Sequence, residues 1–437
     1  MKLHGTMTIN EQGHLSIGGC DAVELAEKFG TPLYVMDEDH LRQICQEYYQ
    51  SFMVKYPRNE VIYASKAFMT KAMARIITQE KLGLDVVSGG ELYTAMQVGF
   101  APERIYFHGN NKSAEEIEYA LTCKIGRFVV DNFDELELLE RLCQEKGTRA
   151  KILLRVQPGI EAHTHQYIRT GQIDSKFGMA IATGQALEIV QKAFSHDAVE
   201  LKGIHCHIGS QIFEIDSFHH AAEVMMGFLK KIKEVTGREL PELNLGGGFG
   251  IYYEENDAPA PISEFAEIIM HTVTQKAEEL KLNVPKVIIE PGRSIVGTVG
   301  TTLYTVGSIK NIPGIRTYAA VDGGMADNPR PALYQAKYEA AVANKMQEEA
   351  TEVVSITGKC CESGDMLIWD ITLPGMQNGD LLAVSGTGAY NYSMSSNYNR
   401  LPRPAVVLVK QGQADLIVAR ETYADLVRND LIPERLA

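Results

Sequence analysis

The chain has 437 residues, with 56 acidic against 42 basic side chains and a formal net charge of −14 at pH 7. That length exceeds one typical domain, so two are expected, and the negative balance argues against nucleic acid and anionic membrane as partners. No apolar run is long enough to span a bilayer, the first residues (Met1-Lys2-Leu3-His4-Gly5) lack the apolar core of a signal peptide, and seven scattered cysteines without CxxC spacing fit reduced thiols in a cytoplasm and no zinc site.

In chain order, residues 7–36 carry short β-like pieces and one small helix from Asp21 to Lys28, with Asp21 placed to cap it and Gly30 to end it. A longer helix is predicted from Asp37 to about Tyr56. A repeating pattern then runs to residue 292. Apolar, β-branched runs lie at 61–65, 84–87, 104–107, 128–130, 151–156, 201–206, 243–245 and 287–289. Stretches of helical period lie at 69–81, 90–98, 113–123, 133–146, 183–195, 217–236 and 262–281. Eight strands alternating with helices imply a parallel sheet. Eight units in roughly 250 residues have the size of a TIM-type (β/α)8 barrel. An open doubly wound sheet is the alternative, because periodicity does not reveal closure. After Arg293 the period changes: runs at 301–309, 317–321, 352–357, 381–384 and 405–409 predict a second, β-rich domain.

In a barrel the site lies at the C-terminal strand ends. There the sequence puts Lys66, Asp85, Ser88, His108, Asn110, Asp131, Arg155, His205, His207, Gly246-Gly247-Gly248 and Glu290-Pro291-Gly292-Arg293. Lys66, taken alone, reads as a surface charge at a turn. The last two loops change the weighing. Glycines let backbone N–H groups approach a phosphate, and an arginine can clamp it. The glycine run alone reads equally well as a tight turn, and it is not a dinucleotide fingerprint, since positions 246, 248 and 251 are Gly, Gly and Ile. With Glu290 and Arg293 beside it, phosphate is the better reading. A lysine amine plus a phosphate cradle suggests pyridoxal phosphate, with the acid of the second loop on the pyridine nitrogen. His205 and His207, two apart on a strand, are expected to share a face. A metal there is disfavoured, because no third ligand has suitable local spacing.

The motifs Tyr63-Ala-Ser-Lys66-Ala, Asp85-Val-Val-Ser-Gly-Gly-Glu91, His205-Cys-His207-Ile-Gly-Ser210-Gln, Gly246-Gly247-Gly248, Glu290-Pro291-Gly292-Arg293, Cys361-Glu362-Ser363 and Gly388-Ala-Tyr390 are together specific. In them the chain resembles the alanine-racemase-fold (type III) pyridoxal-phosphate decarboxylases over essentially its whole length. Ala162-His163-Thr164-His165, Asp174 to Gly178 and Asn328-Pro-Arg330-Pro-Ala-Leu-Tyr334 point to the subgroup that converts meso-2,6-diaminopimelate to L-lysine and carbon dioxide. The departures are small: Gln157 precedes Pro158 where asparagine is frequent, and Lys359-Cys360 precede Cys361 where a proline is common.

The resemblance implies a barrel over 37–293 and a β-rich domain from 1–36 and 294–437. It implies that Lys66 holds the cofactor covalently, that His207 packs on the ring, and that Asp85 belongs to the cofactor site. Ser210, Gly248 and Arg293 would hold the phosphate with Tyr390 nearby, and Glu290 would meet the ring nitrogen. Arg330 and Tyr334, assisted by Arg293, would bind the far carboxylate of the substrate, and Glu362 its far ammonium. Cys361 would return a proton to the carbon that loses carbon dioxide, with Cys360 as a second candidate thiol. A homodimer with shared sites is implied too. Independently, an arginine and a carboxylate are what recognition of a distal amino-acid group needs, although Arg330 could instead form a surface ion pair. Residues 158–178 read as a lid or specificity loop, with His163 and His165 as its polar residues. The alternatives are type III decarboxylases for carboxynorspermidine, arginine or ornithine, a non-catalytic relative, and a racemase. For a racemase, Glu290 is the wrong partner for the ring nitrogen.

Overall fold

The computed structural model describes residues 1–159 and 175–436. The histidines at 163 and 165, and most of the segment expected to form a lid, lie outside the described residues. The chain divides into two units, one of Arg42–Ile251 with Ala258–Ile295, the other of Met1–Leu41, Tyr252–Asp257 and Val296–Ala437.

In the first unit the repeating strands are β1 (Glu60–Ala64), β2 (Gly83–Val86), β3 (Ile105–Phe107), β4 (Arg127–Val130), β5 (Ala150–Gln157), β6 (Val199–His205), β7 (Glu242–Asn244) and β8 (Lys286–Ile289). Each pairs in parallel with the next, and β8 pairs with β1, so the sheet closes. The open-sheet alternative is thereby set aside in favour of the (β/α)8 barrel. Ile62, Tyr106, Val129, Leu153 and Ile288 form one buried cluster of strand side chains. Near the strand starts, Arg127 forks onto Glu242, and the Tyr106 hydroxyl donates to Glu60 at 2.9 Å, with Lys286 on the same carboxylate.

The helices are α1 (Lys71–Gln79), α2 (Gly89–Gln97), α3 (Ala114–Cys123), α4 (Phe133–Glu145), α5 (Gln185–Ser195), α6 (Ile215–Thr236) and α7 (Ile262–Leu280). Local chemistry sets where the first four begin. Thr70, Ser88, Ser113 and Asn132 each accept an N–H from the opening turn, and Ser113 with Glu116 completes a reciprocal cap. Short strand–helix loops that end in a cap leave the strand-end residues little freedom. The helix predicted from Asp37 is α-helical over Glu38–Tyr48 and widens to a π turn at Tyr49–Val54.

In the second unit the sheet order is Met366–Leu373, Glu352–Thr357, Arg316–Val321, Gly300–Ile312, Leu33–Asp37, Ala405–Lys410 and Gln413–Val418. Leu33–Asp37 pairs with Gly300–Ile312 on one side and with Ala405–Lys410 on the other, so a strand from the segment before the barrel is built into this sheet, while Thr8–Ile9, Leu15–Ile17 and Cys20–Asp21 form a small sheet of their own. Met366–Leu373 and Gln413–Val418 were not read from the sequence. Both are edge strands with exposed positions, so their apolar signal is diluted.

Candidate active site

Strand register decides which side chains meet on the barrel rim. His205, at the end of β6, is level with Arg155 on β5 and with Asn244 on β7. Asp85 on β2 is level with Ala64 on β1. In-register residues of neighbouring strands face the same way, so the polar ends converge.

Glu290, directly after β8, is the hub. Its Oε1 accepts from His108 Nε2 at 2.8 Å and from Asn244 Nδ2 at 2.6 Å, while its Oε2 lies 3.0 Å from His205 Nε2. Burial alone would push this carboxyl up, but the charge and hydrogen bonds of His108 and His205 outweigh burial and hold it well below the usual carboxylate range. For His108 burial pulls down, yet Asp85 and Glu290 prevail and the imidazole is raised. His205 is pushed down to about 4 by burial that Glu290 only partly opposes. Burial pushes Asp85 up to about 6 against the pull of His108. Among the described residues, Asp85 Oδ1 and His205 Nδ1 are buried and have no hydrogen-bond partner. Ligand-type atoms of His108, His205 and Glu290 all lie within 4.8 Å of one another. The third group that local spacing did not offer is therefore brought to the histidines by the fold, and the three side chains hydrogen-bond to one another as just described.

The strand ends at His205, so the shared-face expectation does not extend to His207, which lies in the loop beyond. Burial, with Lys66 and Arg155 nearby, pushes His207 well below its ordinary range. Its Nδ1 accepts the Gly247 N–H at 3.3 Å, which leaves Nε2 to carry the proton of a neutral ring.

The glycine run is required by space. A Cβ on Gly246, Gly247 or Gly248 would stand 2.5, 2.1 or 2.4 Å from the carbonyl oxygens of Cys206, Glu290 and Gly209. Gly248 also has a φ of +112°. Ser210 accepts from Arg293 Nη2 at 2.9 Å, and the Pro291 carbonyl accepts from the Ala64 N–H at 3.0 Å. A Cβ on Gly292 would meet the Ala64 side chain at 2.9 Å. The loops after β6, β7 and β8 therefore lie against one another, leaving backbone N–H groups and an arginine beside small residues. Lys66 sits in a single 3-10 turn, Ser65–Ala67, just past β1, with its side chain exposed. That turn is tied down because Ser65 Oγ and the Val87 N–H both donate to Glu91 Oε2.

Of the residues predicted for the site, the rim brings together Lys66, Asp85, His207, Ser210, Gly246, Gly247, Gly248, Glu290, Pro291, Gly292 and Arg293. The others belong to the second unit. Arg330, on a short helix with the half-buried Tyr334, is itself buried, and its Nη1 donates to the Tyr253 and Tyr338 hydroxyls at 3.0 and 2.6 Å. Among the described residues it makes no ion pair with a carboxylate, which answers the surface-ion-pair alternative. Cys361 and Glu362 are exposed on one loop, the Cys361 N–H donating to Asn399. Cys360 is buried, and burial with Asp365 pushes its thiol up to about 11. Tyr390 is half-buried at a left-handed φ of +64°. The sequence reading named His108 without giving it a task and overlooked Asn244. The one available signal for Asn244 was a polar side chain between Leu243 and Leu245 in a run read as a strand.

A closed barrel whose rim offers an exposed lysine, a carboxylate backed by imidazoles and a glycine-lined anion cradle with an arginine is the site of a pyridoxal-phosphate enzyme. Residues 39–297 match the family model for the pyridoxal-binding domain of pyridoxal-dependent decarboxylases. The diaminopimelate decarboxylase of Bacillus subtilis is 56% identical over 431 residues, which cover 99% of this chain and 98% of that protein. That of Halalkalibacterium halodurans is 54% identical over 431 residues, with the same two coverages. The crystal structure of diaminopimelate decarboxylase from M. jannaschii in complex with L-lysine superposes with a TM-score of 0.93 at 38% identity, over 99% of each chain. The chain belongs to the pyridoxal-dependent decarboxylases, and within them to the diaminopimelate decarboxylases. The rim fits the cofactor: its glycines leave a cradle that any Cβ would fill, and Asp85 Oδ1 and His205 Nδ1 are buried polar atoms without partners among the described residues.

Proposed function

We infer that the chain removes one carboxylate from meso-2,6-diaminopimelate as carbon dioxide and leaves L-lysine. The observation that carries the substrate is Arg330, a buried guanidinium held by two phenols and paired with no carboxylate among the described residues. A buried arginine of that kind suits a ligand carboxylate. A diamine or monocarboxylate substrate would leave it without use.

Pyridoxal phosphate, when bound, supplies the electron sink for the bond that breaks. On this reading Lys66 Nζ would hold the cofactor through its aldehyde. Glu290, kept ionised by its donors, would pair with the ring nitrogen. The neutral His207 would lie against the ring, and Ser210, Gly246, Gly247, Gly248 and Arg293 would hold the phosphate, with Asp85, Pro291, Gly292 and Tyr390 completing the surroundings. Arg330, Tyr334 and Arg293 hold the far carboxylate and Glu362 the far ammonium. Cys361 Sγ delivers a proton to the carbon that has lost carbon dioxide, so one C–C bond is exchanged for one C–H bond. The exposure of Cys361 supports it over Cys360, whose buried thiol is a weak acid held by Asp365. A homodimer that shares its sites belongs to the same reading, supported by the second-unit origin of Arg330, Cys361 and Glu362. A cytoplasmic location fits too: among the described residues no helix is long and apolar enough to cross a membrane.

The direct test incubates pure protein and pyridoxal phosphate with meso-diaminopimelate. Lysine and carbon dioxide should form in equal amounts. Release of carbon dioxide from ornithine or arginine, with none from diaminopimelate, would overturn the substrate.

A further inference from the structure

Glu290 is the group the proposed mechanism places on the ring nitrogen, yet both its oxygens are already engaged by side chains from other strands. Asn244 Nδ2 and His108 Nε2 meet Oε1, and His205 Nε2 meets Oε2. The amide of Asn244 has no choice of orientation, because its Oδ1 accepts the Gly246 N–H at 2.9 Å and must leave Nδ2 facing the carboxylate. The two histidines are not equivalent. Their rings pack edge to face with centroids 4.9 Å apart, so two imidazolium charges there would repel at short range. His205 has Glu290 as its only acid within hydrogen-bond reach among the described residues. His108 also lies beside Asp85, which has an unpartnered buried oxygen. The charged groups that act on His108 are Asp85 from β2, Glu290 after β8 and Arg155 from β5, and the His205 ring packs against it. Beyond them, Lys66 and Glu91 act on Asp85, and Asp131 lies 3.9 Å from Arg155. At His108 itself two acids act against one guanidinium, and its Nε2, 2.8 Å from Glu290 Oε1, is placed to carry the balancing proton. The upward direction of His108 and the downward direction of His205 agree with that division.

We propose that His108 is a positioning residue for the reaction: as the cationic donor to Glu290 Oε1, it keeps that carboxylate ionised and in one orientation, and so sets how strongly the cofactor's ring nitrogen is held protonated. His205 is the neutral donor on the other oxygen, and Asn244 is the fixed strut. The inference rests on the assignment of Glu290 to the ring nitrogen. An imidazolium makes a charge-assisted hydrogen bond to the carboxylate it meets and lowers that carboxylate's basicity. His108 therefore favours a carboxylate that never takes the ring proton.

The test uses binding rather than turnover. The apoprotein is titrated with pyridoxal phosphate and with its 1-deaza analogue, which keeps the aldehyde and phosphate but has no ring nitrogen. The ratio of the two dissociation constants reads the Glu290 contact alone. Wild type should prefer the natural cofactor, and Glu290→Gln should abolish the preference. His108→Leu should shrink the ratio roughly tenfold, with analogue affinity unchanged. His108→Gln, which keeps a neutral donor of similar reach, should fall between the two. It also serves if the leucine variant does not fold. With holoenzyme, kcat should fall in the same order while KM for diaminopimelate stays constant. A ratio left at the wild-type value in both His108 variants, when Glu290→Gln has lost it, overturns the role of His108. A ratio unaffected by Glu290→Gln overturns the underlying assignment of Glu290 instead.

Discussion

On the barrel rim Glu290 is buried and takes hydrogen bonds from three side chains on three different strands or strand ends. In the β-rich unit Glu362 is exposed. Among the described residues its carboxylate meets the Gly364 N–H at 3.2 Å and the Tyr398 hydroxyl at 3.5 Å. Both acids are assigned to a cationic partner, one on the cofactor and one on the substrate. A buried carboxylate is stable only if its lone pairs are satisfied, and the closed sheet provides the partners at fixed spacing. An exposed carboxylate is solvated and free to exchange water for an ammonium. On those assignments the rim would be preorganised for a group that stays bound, while Glu362 would meet a ligand once per turnover.

If that division is right, the largest loss comes from the rim. Lys66→Ala should lower turnover by more than about a thousandfold. Borohydride reduction of the wild type followed by peptide mapping should find the pyridoxyl label on Lys66, and label on another lysine would falsify the cofactor assignment. The next effect concerns whether the two sets of residues need a second copy of the chain. Lys66→Ala and Cys361→Ala, each nearly inactive, are unfolded and refolded together in equal amounts. Random pairing makes about half the dimers mixed, and a shared site then leaves about a quarter of all sites wild type. If Cys361 instead serves the lysine of its own chain, every site keeps one mutation. Activity no higher than the parents' mean, with mixed dimers present, would rule out sharing.

Arg330→Ala sharpens the comparison from the substrate side. Losing a charge-assisted hydrogen bond to carboxylate costs roughly 2–3 kcal/mol, or about 30- to 150-fold in KM for diaminopimelate. Pyridoxal phosphate affinity should not move if Arg330 meets the substrate and not the cofactor, as proposed. Unchanged KM and kcat would remove Arg330 from the substrate site.

The same contrast explains what could be read from the chain. The eight strands were legible because each is a short run, mostly apolar or β-branched, bounded by helical period, and the glycine loops because their backbones have no room for a Cβ. The closure of the sheet was not legible, since it depends on β8 pairing with β1 across the whole repeat. Nor was the task of His108. Its partner Glu290 is 182 residues away, and a single histidine after Phe107 looks like any loop residue. Asn244 was hidden for the same reason, because its meaning lies in bonds to Gly246 and Glu290 rather than in any spacing. The edge strand Met366–Leu373 escaped because Trp369 and Asp370 are exposed and blur its alternation.

The smallest effect expected separates the adjacent thiols. Cys360 is buried, its N–H donates to Asp365 Oδ2 at 2.7 Å, and burial together with that acid pushes its thiol up to about 11. A thiol raised so far is a poor proton donor at neutral pH, and its burial denies it a path to a substrate carbon. Cys360→Ser keeps the backbone bond to Asp365 and places a smaller hydroxyl in the same pocket, so kcat should stay within about twofold of wild type. Cys361→Ser puts a hydroxyl, a far weaker acid than a thiol, at the proposed proton donor. Its kcat should fall at least about tenfold, with a solvent deuterium isotope effect larger than that of wild type as protonation becomes limiting. Should Cys360→Ser show the large loss and the isotope effect while Cys361→Ser shows neither, the buried cysteine is the donor, and the contrast between a preorganised rim and an open β-rich loop fails where it was drawn.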